Sequence, residues 1–260
     1  MINDIFVTKI GMTQAWTTEG KRIAVTRCRV QPNMVIAARQ LSENNSAYTI
    51  EVGYGKKLLR TTKKPLRAQL AKSGFSVGVK TIRGIKVDST ESDKIPAAGT
   101  TLAVSDVLSL GDVVNVRGTT KGRGFAGGMK RYGYKGGPKT HGQSDRARAI
   151  GSIGAGTSPG RVLKGKGMPG HMGDVAVTVK GLTIVHIDTE TQEVWISGPV
   201  PGSISSDLLV HKLGKTKKVE LNYDASGIKL PVEEVVEEIK EEAPVEVEEV
   251  AEKTAEETKE

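Results

Sequence analysis

Apolar and polar positions follow one another in short runs over the first thirty residues. Residues 5–9, 12–16 and 23–30 are rich in Ile, Val, Phe and Trp and are separated by Gly11 and by Thr18-Glu19-Gly20. Short apolar runs bounded by turn residues predict β-strands. Residues 48–54 and 80–87 read the same way. Between them, residues 64–72 have Pro65 near the start and Gly74 just past the end, the asymmetry of a short helix. Further strands are predicted at 112–117, 193–197 and 207–213, and a long strand or hairpin at 175–188. Many short strands with polar turns and little helix predict a mainly β fold: a compact β-barrel with an inserted α+β module at about residues 31–98.

The pattern stops between residues 117 and 173. These 57 residues hold 17 Gly, 12 Lys or Arg and a single acid, Asp145. The only Leu, Ile, Val or Phe among them are Phe125, Ile150, Ile153, Val162 and Leu163. So little apolar surface cannot offset the entropy of ordering the chain, and the expectation is a segment that is loose when free. Strands lie on both sides of it, so its two ends are expected to be neighbours in one sheet. As a hairpin-like arm of about 28 residues each way, it spans at most roughly 90 Å when fully extended.

Charge changes the picture further. Residues 231–260 carry 13 Glu against 3 Lys, a net of −10, so the whole-chain charge of +8 hides +18 over residues 1–230. That division sets residues 1–230 apart as the core of the protein and 231–260 as an acidic, disordered tail. Val232, Val235, Val236 and Ile239 in the tail follow a helical stripe that ends at Ala243-Pro244. A body this basic repels itself unless a polyanion neutralises it, which makes nucleic acid the expected partner. A membrane is not expected, because no apolar run approaches the roughly 18 residues needed to span one. No charged-then-apolar leader opens the chain, Cys28 is the only cysteine and reads as a core residue, and the setting expected is cytoplasmic.

The cations of the arm are interspersed with rings. Lys121, Arg123, Lys130, Arg131, Lys135, Lys139, Arg146, Arg148, Arg161, Lys164 and Lys166 alternate with Phe125, Tyr132 and Tyr134. Guanidinium and ammonium groups neutralise phosphates, while rings and guanidinium planes stack on unpaired bases. Gly122-Arg123-Gly124-Phe125-Ala126-Gly127 matches the dinucleotide-binding spacing G-x-G-x-x-G. The helix and distal acid of that fold are missing, since Tyr132-Gly133-Tyr134-Lys135-Gly136-Gly137-Pro138 follows instead. His186 and His211 sit on predicted strands and read as structural. His141 and His171 lie thirty residues apart without a cysteine, which gives no metal site, and no spacing of Ser, His or carboxylates suggests catalysis. A free nucleic-acid chaperone with an autoinhibitory acidic tail and a nucleotide-binding enzyme are the competing readings.

A longer pattern narrows the choice. Leu108, Asn115, Gly118, Thr120, Gly122-Arg123-Gly124, Gly127 and Arg131 resemble the signature of the universal large-subunit ribosomal protein number three family, bacterial type. The likeness continues through Gly136-Gly137-Pro138-Lys139-Thr140-His141-Gly142, Gly151-Ser152-Ile153-Gly154, Thr157-Ser158-Pro159-Gly160-Arg161-Val162 and Lys164-Gly165-Lys166-Gly167-Met168-Pro169-Gly170. Gly11-Met12-Thr13-Gln14 and Val200-Pro201-Gly202 also fit, so the resemblance covers about residues 1–213.

The resemblance implies a translation-protein-type β-barrel, a small mixed module and an arm that threads into large-subunit (23S-type) ribosomal RNA toward the peptidyl-transferase centre. It implies a structural, non-enzymatic protein that supports early subunit assembly. Its partners would be that RNA and neighbouring large-subunit proteins, with no cofactor and no small-molecule substrate. The arm residues named above, with His141 and His171, become RNA contacts, and residues 151–173 the part nearest the catalytic centre. Three departures stand out. His171 occupies the place of a Gln that can be methylated in many bacterial members. Ala147 and Ile150 replace a His or Trp and a Pro. The acidic tail lies outside the family core.

Overall fold

The computed structural model describes residues 2–42, 45–88, 96–217 and 219–227. The acidic tail at 231–260, with its helical stripe, lies outside the described residues. In chain order the elements are β1 (Asp4–Thr17), β2 (Arg22–Arg29), β3 (Asn33–Ser42), β4 (Asn45–Lys57), α1 (Lys64–Lys72), β5 (Gly78–Asp88), β6 (Thr101–Leu102) and α2 (Val104–Val107). They continue with β7 (Asp112–Thr119), β8 (Phe125–Ala126), α3 (Gly128–Tyr132), β9 (Gly170–His171), β10 (Ala176–Asp188), β11 (Glu193–Ser197), β12 (Asp207–Thr216), β13 (Leu221–Asn222) and α4 (Tyr223–Ser226). The protein is mainly β. Its described residues divide into two compact units, one drawn from 2–12 and 25–217, the other from 13–24 and 219–227.

In the first unit the strand order runs β12-β7-β10-β11-β2-β1, and β12 also pairs with β1, so the pairing returns to its start. β7 shows why the sequence builds this sheet. Along it Val114 and Val116 are buried while Arg117 and Thr119 are exposed, the period-two alternation of a strand with one face on a core. The inward set continues at Gly118, where an added Cβ would run into Leu208 and Pro201, so only glycine fits between β7 and β12. Ile5, Val7, Cys28, Val114, Val116, Ile184, Val194, Ile196, Leu208 and Val210 fill the core of this sheet, joined by Val104, Val107 and Leu108 from α2 and its end. Each such aliphatic side chain contributes roughly 1.5–3 kcal/mol by leaving water.

A second sheet, β5-β4-β3-β6, is buried on both faces. Val35, Ile50, Val52 and Tyr54 on one face pack with Phe6, while Met34, Ile36 and Val79 on the other pack on Leu70 of α1. Phe6 lies between Ile5 and Val7, which face the first core, so β1 is itself buried on both sides. The second unit, described by itself, pairs Trp16 with Asn222 and Thr17 with Leu221. A Thr17–Lys21 turn closes its hairpin, with Thr17 N–H on the Lys21 carbonyl at 2.9 Å.

The sequence expectations compare closely with these elements. The helix at 64–72 forms with Pro65 in its first turn, and the strands at 112–117 and 193–197 form with it. The two runs at 5–9 and 12–16 are one strand, because Gly11 keeps an extended backbone instead of turning. His186 is buried in β10, edge-on to Trp195 at 5.7 Å, and His211 Nδ1 lies 2.6 Å from Asp4, both structural positions.

Cys28 is fully buried, and burial pushes its thiol up to about 12. The thiolate is the form that reacts with alkylating reagents. Iodoacetamide at mildly alkaline pH is therefore expected to leave the native protein unlabelled and to label it fully in denaturant. Native labelling at the rate of a free cysteine would place Cys28 outside the core.

Candidate nucleic-acid interface

The basic segment leaves the first sheet on β7 and re-enters it on β10, whose register pairs Thr119 with Ala176 and Gly118 with Val177. Its two ends are thus neighbours in one sheet, as the flanking strands predict. The ladder continues outward. Thr120 N–H donates to the Val175 carbonyl at 2.9 Å, Arg123 N–H to Met172 at 2.8 Å, and Met172 N–H back to Gly124 at 3.0 Å. β8 and β9 then pair Phe125 with His171 and Ala126 with Gly170. Residues 117–126 and 170–179 therefore form one two-stranded rib.

Beyond the rib the chain folds on itself with almost no core. Arg131 donates through Nη1 to the Met168 carbonyl at 2.9 Å and holds its guanidinium over the Tyr132 ring at 5.1 Å. Tyr134 OH donates to the Gly167 carbonyl at 3.2 Å, and the Tyr132 and Tyr134 rings lie 6.0 Å apart. Gly167 has to be a glycine, because a Cβ there would lie 2.7 Å from the Tyr134 hydroxyl and 2.8 Å from the Tyr132 ring. Further out, Gly137 N–H bonds the Ala147 carbonyl at 3.0 Å. Residues 151–166 are exposed without a break, and Gly151, Ser152, Ile153, Gly154, Arg161 and Val162 line an open hollow there.

The candidate RNA contacts fall into two clusters and a set of dispersed, exposed cations. Phe125 and His171 come together edge to face at 6.0 Å, with Phe125 71% exposed, although 46 positions separate them. Arg131, Tyr132 and Tyr134 form the second cluster. Lys121, Arg123, Lys130, Lys135, Lys139, His141, Arg146, Arg148, Arg161, Lys164 and Lys166 are exposed and are not gathered into one pocket. Among the described residues none of the arm's cations makes an ion pair, and neither does Asp145. Elsewhere the molecule does pair its charges: Glu193, buried, takes Arg27 at 2.7 Å and Arg29 at 2.9 Å. The arm differs in how many cations it gathers with so little acid: twelve Lys or Arg against Asp145 over residues 117–173.

The sequence reading missed Lys9. It is buried at the root of the arm, where its ammonium donates to the Val200 carbonyl at 2.9 Å and to that of Gly202 at 3.2 Å. Burial first, then the charge of Lys121, holds it below the usual lysine range. A lone Lys between Thr8 and Ile10 carries no pattern from which this role can be read. Among the described residues no group of three or more His, Cys, Asp or Glu side chains converges as metal ligands would. Among them also, no helix is long and apolar enough to cross a membrane.

A family model described as Ribosomal protein L3 matches residues 51–199, more than half of the chain and all of the arm. The chain belongs to the ribosomal protein L3 family. Relatives agree along most of the length. The large ribosomal subunit protein uL3 of Herpetosiphon aurantiacus is 39% identical, with 84% of this chain and 100% of the relative covered. That of Dehalococcoides mccartyi is 38% identical over 83% of this chain and 100% of the relative. That of Alkaliphilus metalliredigens is 40% identical over 81% of this chain and 97% of the relative. In this L3-family chain, therefore, the rib, the Arg131–Tyr134 knot and the exposed loop all fall inside the matched region.

Proposed function

We propose that the chain is a structural constituent of the large ribosomal subunit that binds large-subunit ribosomal RNA through the arm at 117–173. The observation that carries this reading is a hydrogen-bonded rib and loop whose cations lack counter-charge among the described residues. A phosphate backbone supplies that charge, and the exposed rings of Phe125 and Tyr132 supply stacking surfaces for unpaired bases. The contacts are Lys121, Arg123, Phe125, Lys130, Arg131, Tyr132, Tyr134, Lys135, Lys139, His141, Arg146, Arg148, Arg161, Lys164, Lys166 and His171. Family membership supports a role in translation and early subunit assembly, on the ribosome in the cytoplasm, beside other large-subunit proteins. In this reading the segment at 151–173, which includes the exposed loop at 151–166, extends toward the peptidyl-transferase centre, and peptide-bond chemistry belongs to the RNA, not to this chain.

The returning strand order of the first unit supports a translation-protein-type β-barrel, and the sheet with α1 supports an inserted module at about 31–98. We assign 1–230 to the core and 231–260 to an acidic tail. Co-sedimentation tests the reading. The chain is expected to travel with large subunits at one copy each through a high-salt wash. Release by the wash, or sub-stoichiometric recovery, would favour a free nucleic-acid chaperone.

A further inference from the structure

A cleft of about 220 Å³ opens in the first unit, away from the outer part of the arm. Phe6, Tyr54, Leu208 and Leu209 give it apolar walls, and all but Leu209 are nearly fully buried. Arg83 of β5 and Arg117 of β7 line it from two different sheets, both exposed and neither in an ion pair among the described residues. Asp207 lies in the same wall, with one carboxylate oxygen 3.0 Å from Lys80 Nζ and no other ion-pair partner among the described residues. Tyr54 is fixed by a hydrogen bond between its hydroxyl and Thr8 Oγ1, so its ring is a rigid part of the wall.

The cleft combines three chemistries: apolar walls, two guanidinium groups and a carboxylate. Its volume is below the roughly 300–1,000 Å³ of sites for drug-sized ligands and suits one flat ring system. Its walls are aromatic and aliphatic, two guanidinium groups lie within reach of an anion, and a carboxylate faces the same space. Guanidinium forks bind phosphate oxygens, and their planes stack on rings. A carboxylate accepts from N–H donors, and guanine is the base whose pairing edge presents two of them side by side, N1–H and N2–H.

We infer that this cleft holds a single unpaired guanine nucleotide of RNA, with its base beside Leu209 and Ala176 above the floor formed by Phe6 and Tyr54, its pairing edge on Asp207 and its phosphate on Arg83 and Arg117. The inference rests on the RNA-binding reading and adds a second, base-reading contact on the body of the protein. It explains why Arg83 and Arg117 stand uncompensated beside a carboxylate that pairs instead with Lys80. The occupant is a nucleotide of a polymer, and the same chemistry accepts a free one.

Backbone-amide NMR of the full chain separates the outcomes. The probes are guanosine monophosphate, adenosine monophosphate, inorganic phosphate, a guanine-containing single-stranded RNA oligonucleotide, and a polyglutamate peptide. Guanosine monophosphate and the oligonucleotide are expected to shift the amides of Gly118, Ala176 and Leu209. The oligonucleotide should bind more tightly than the free nucleotide. Arg83→Ala should weaken both by about tenfold, the scale of one lost guanidinium–phosphate contact. Asp207→Asn should reduce the preference for guanosine over adenosine monophosphate. Equal affinity for inorganic phosphate would overturn base reading. Shifts from polyglutamate but not from the nucleotide would overturn it in favour of an acidic peptide. No shift at the cleft with any probe would overturn it outright. Arm amides such as Arg123 and Met172 report separately. Failure of the general RNA reading would silence those, whereas failure of the cleft would leave them responding.

Discussion

Deleting residues 121–170 is expected to lower affinity for large-subunit RNA by at least about a hundredfold at physiological salt while leaving the body folded. Both halves of that expectation follow from the structure. The deletion joins Thr120 to His171 and leaves a short turn over the register pair Thr119–Ala176, so β7 and β10 keep their ladder. None of the deleted residues belongs to the cores around Val116, Ile50 or Leu70, so little buried apolar surface is lost. What is removed is eleven of the twelve cations in the 117–173 segment and its clustered rings. Filter binding or fluorescence anisotropy with large-subunit RNA, beside a thermal melt, reads the two halves apart. Unchanged affinity would move RNA binding onto the body. A collapsed melt would mean that the arm is part of the fold.

The second large effect lies in the body. Asp112→Ala is expected to cost about 3 kcal/mol of stability, with the arm's RNA affinity unchanged once the protein is folded. Asp112 is almost fully buried. Its carboxylate takes the Lys212 ammonium at 2.7 Å and the Ser109 N–H at 2.7 Å, closing the turn between α2 and β7. Removing it leaves Lys212, three-quarters shielded from water, with only the Val107 carbonyl at 3.5 Å, and leaves the Ser109 N–H without its acceptor. For a domain of this size that loss lowers the melting temperature by roughly 6–12 °C. Urea unfolding with an unchanged m-value measures it. A loss below about 1 kcal/mol would mean that Lys212 swings out to water and that the pair contributes little.

Much of this molecule is legible in its sequence, and the parts that are not have identifiable reasons. β7 declares itself because one face is buried and the other wet, so Val114 and Val116 alternate with Asn115 and Arg117. β3 does not, because Met34, Val35 and Ile36 are buried on both faces of their sheet. A continuous apolar run carries no period that tells strand from helix. Gly11 looks like a break and is not: β1 runs through it as one strand from Asp4 to Thr17.

In the arm, charge and glycine content carry the expectation of a polyanion partner, and the family signature runs through the same residues. The meeting of Phe125 with His171 is invisible in sequence, because it is set by a ladder that starts at Thr119–Ala176 and propagates outward residue by residue. The Arg131–Tyr132–Tyr134 knot is hidden for a related reason. It depends on the space that Gly167 leaves open from more than thirty positions away.

If cations of the arm bind RNA phosphates, the salt dependence of binding reports it most directly. Each phosphate neutralised contributes about −0.9 to the slope of log affinity against log salt on B-form DNA and about −0.7 on single strands, which sets the scale for RNA. The full chain is predicted to give a steep negative slope with large-subunit RNA, and the 121–170 deletion a slope shallower by several phosphates. Equal slopes for the two proteins, or an affinity indifferent to salt, would contradict it.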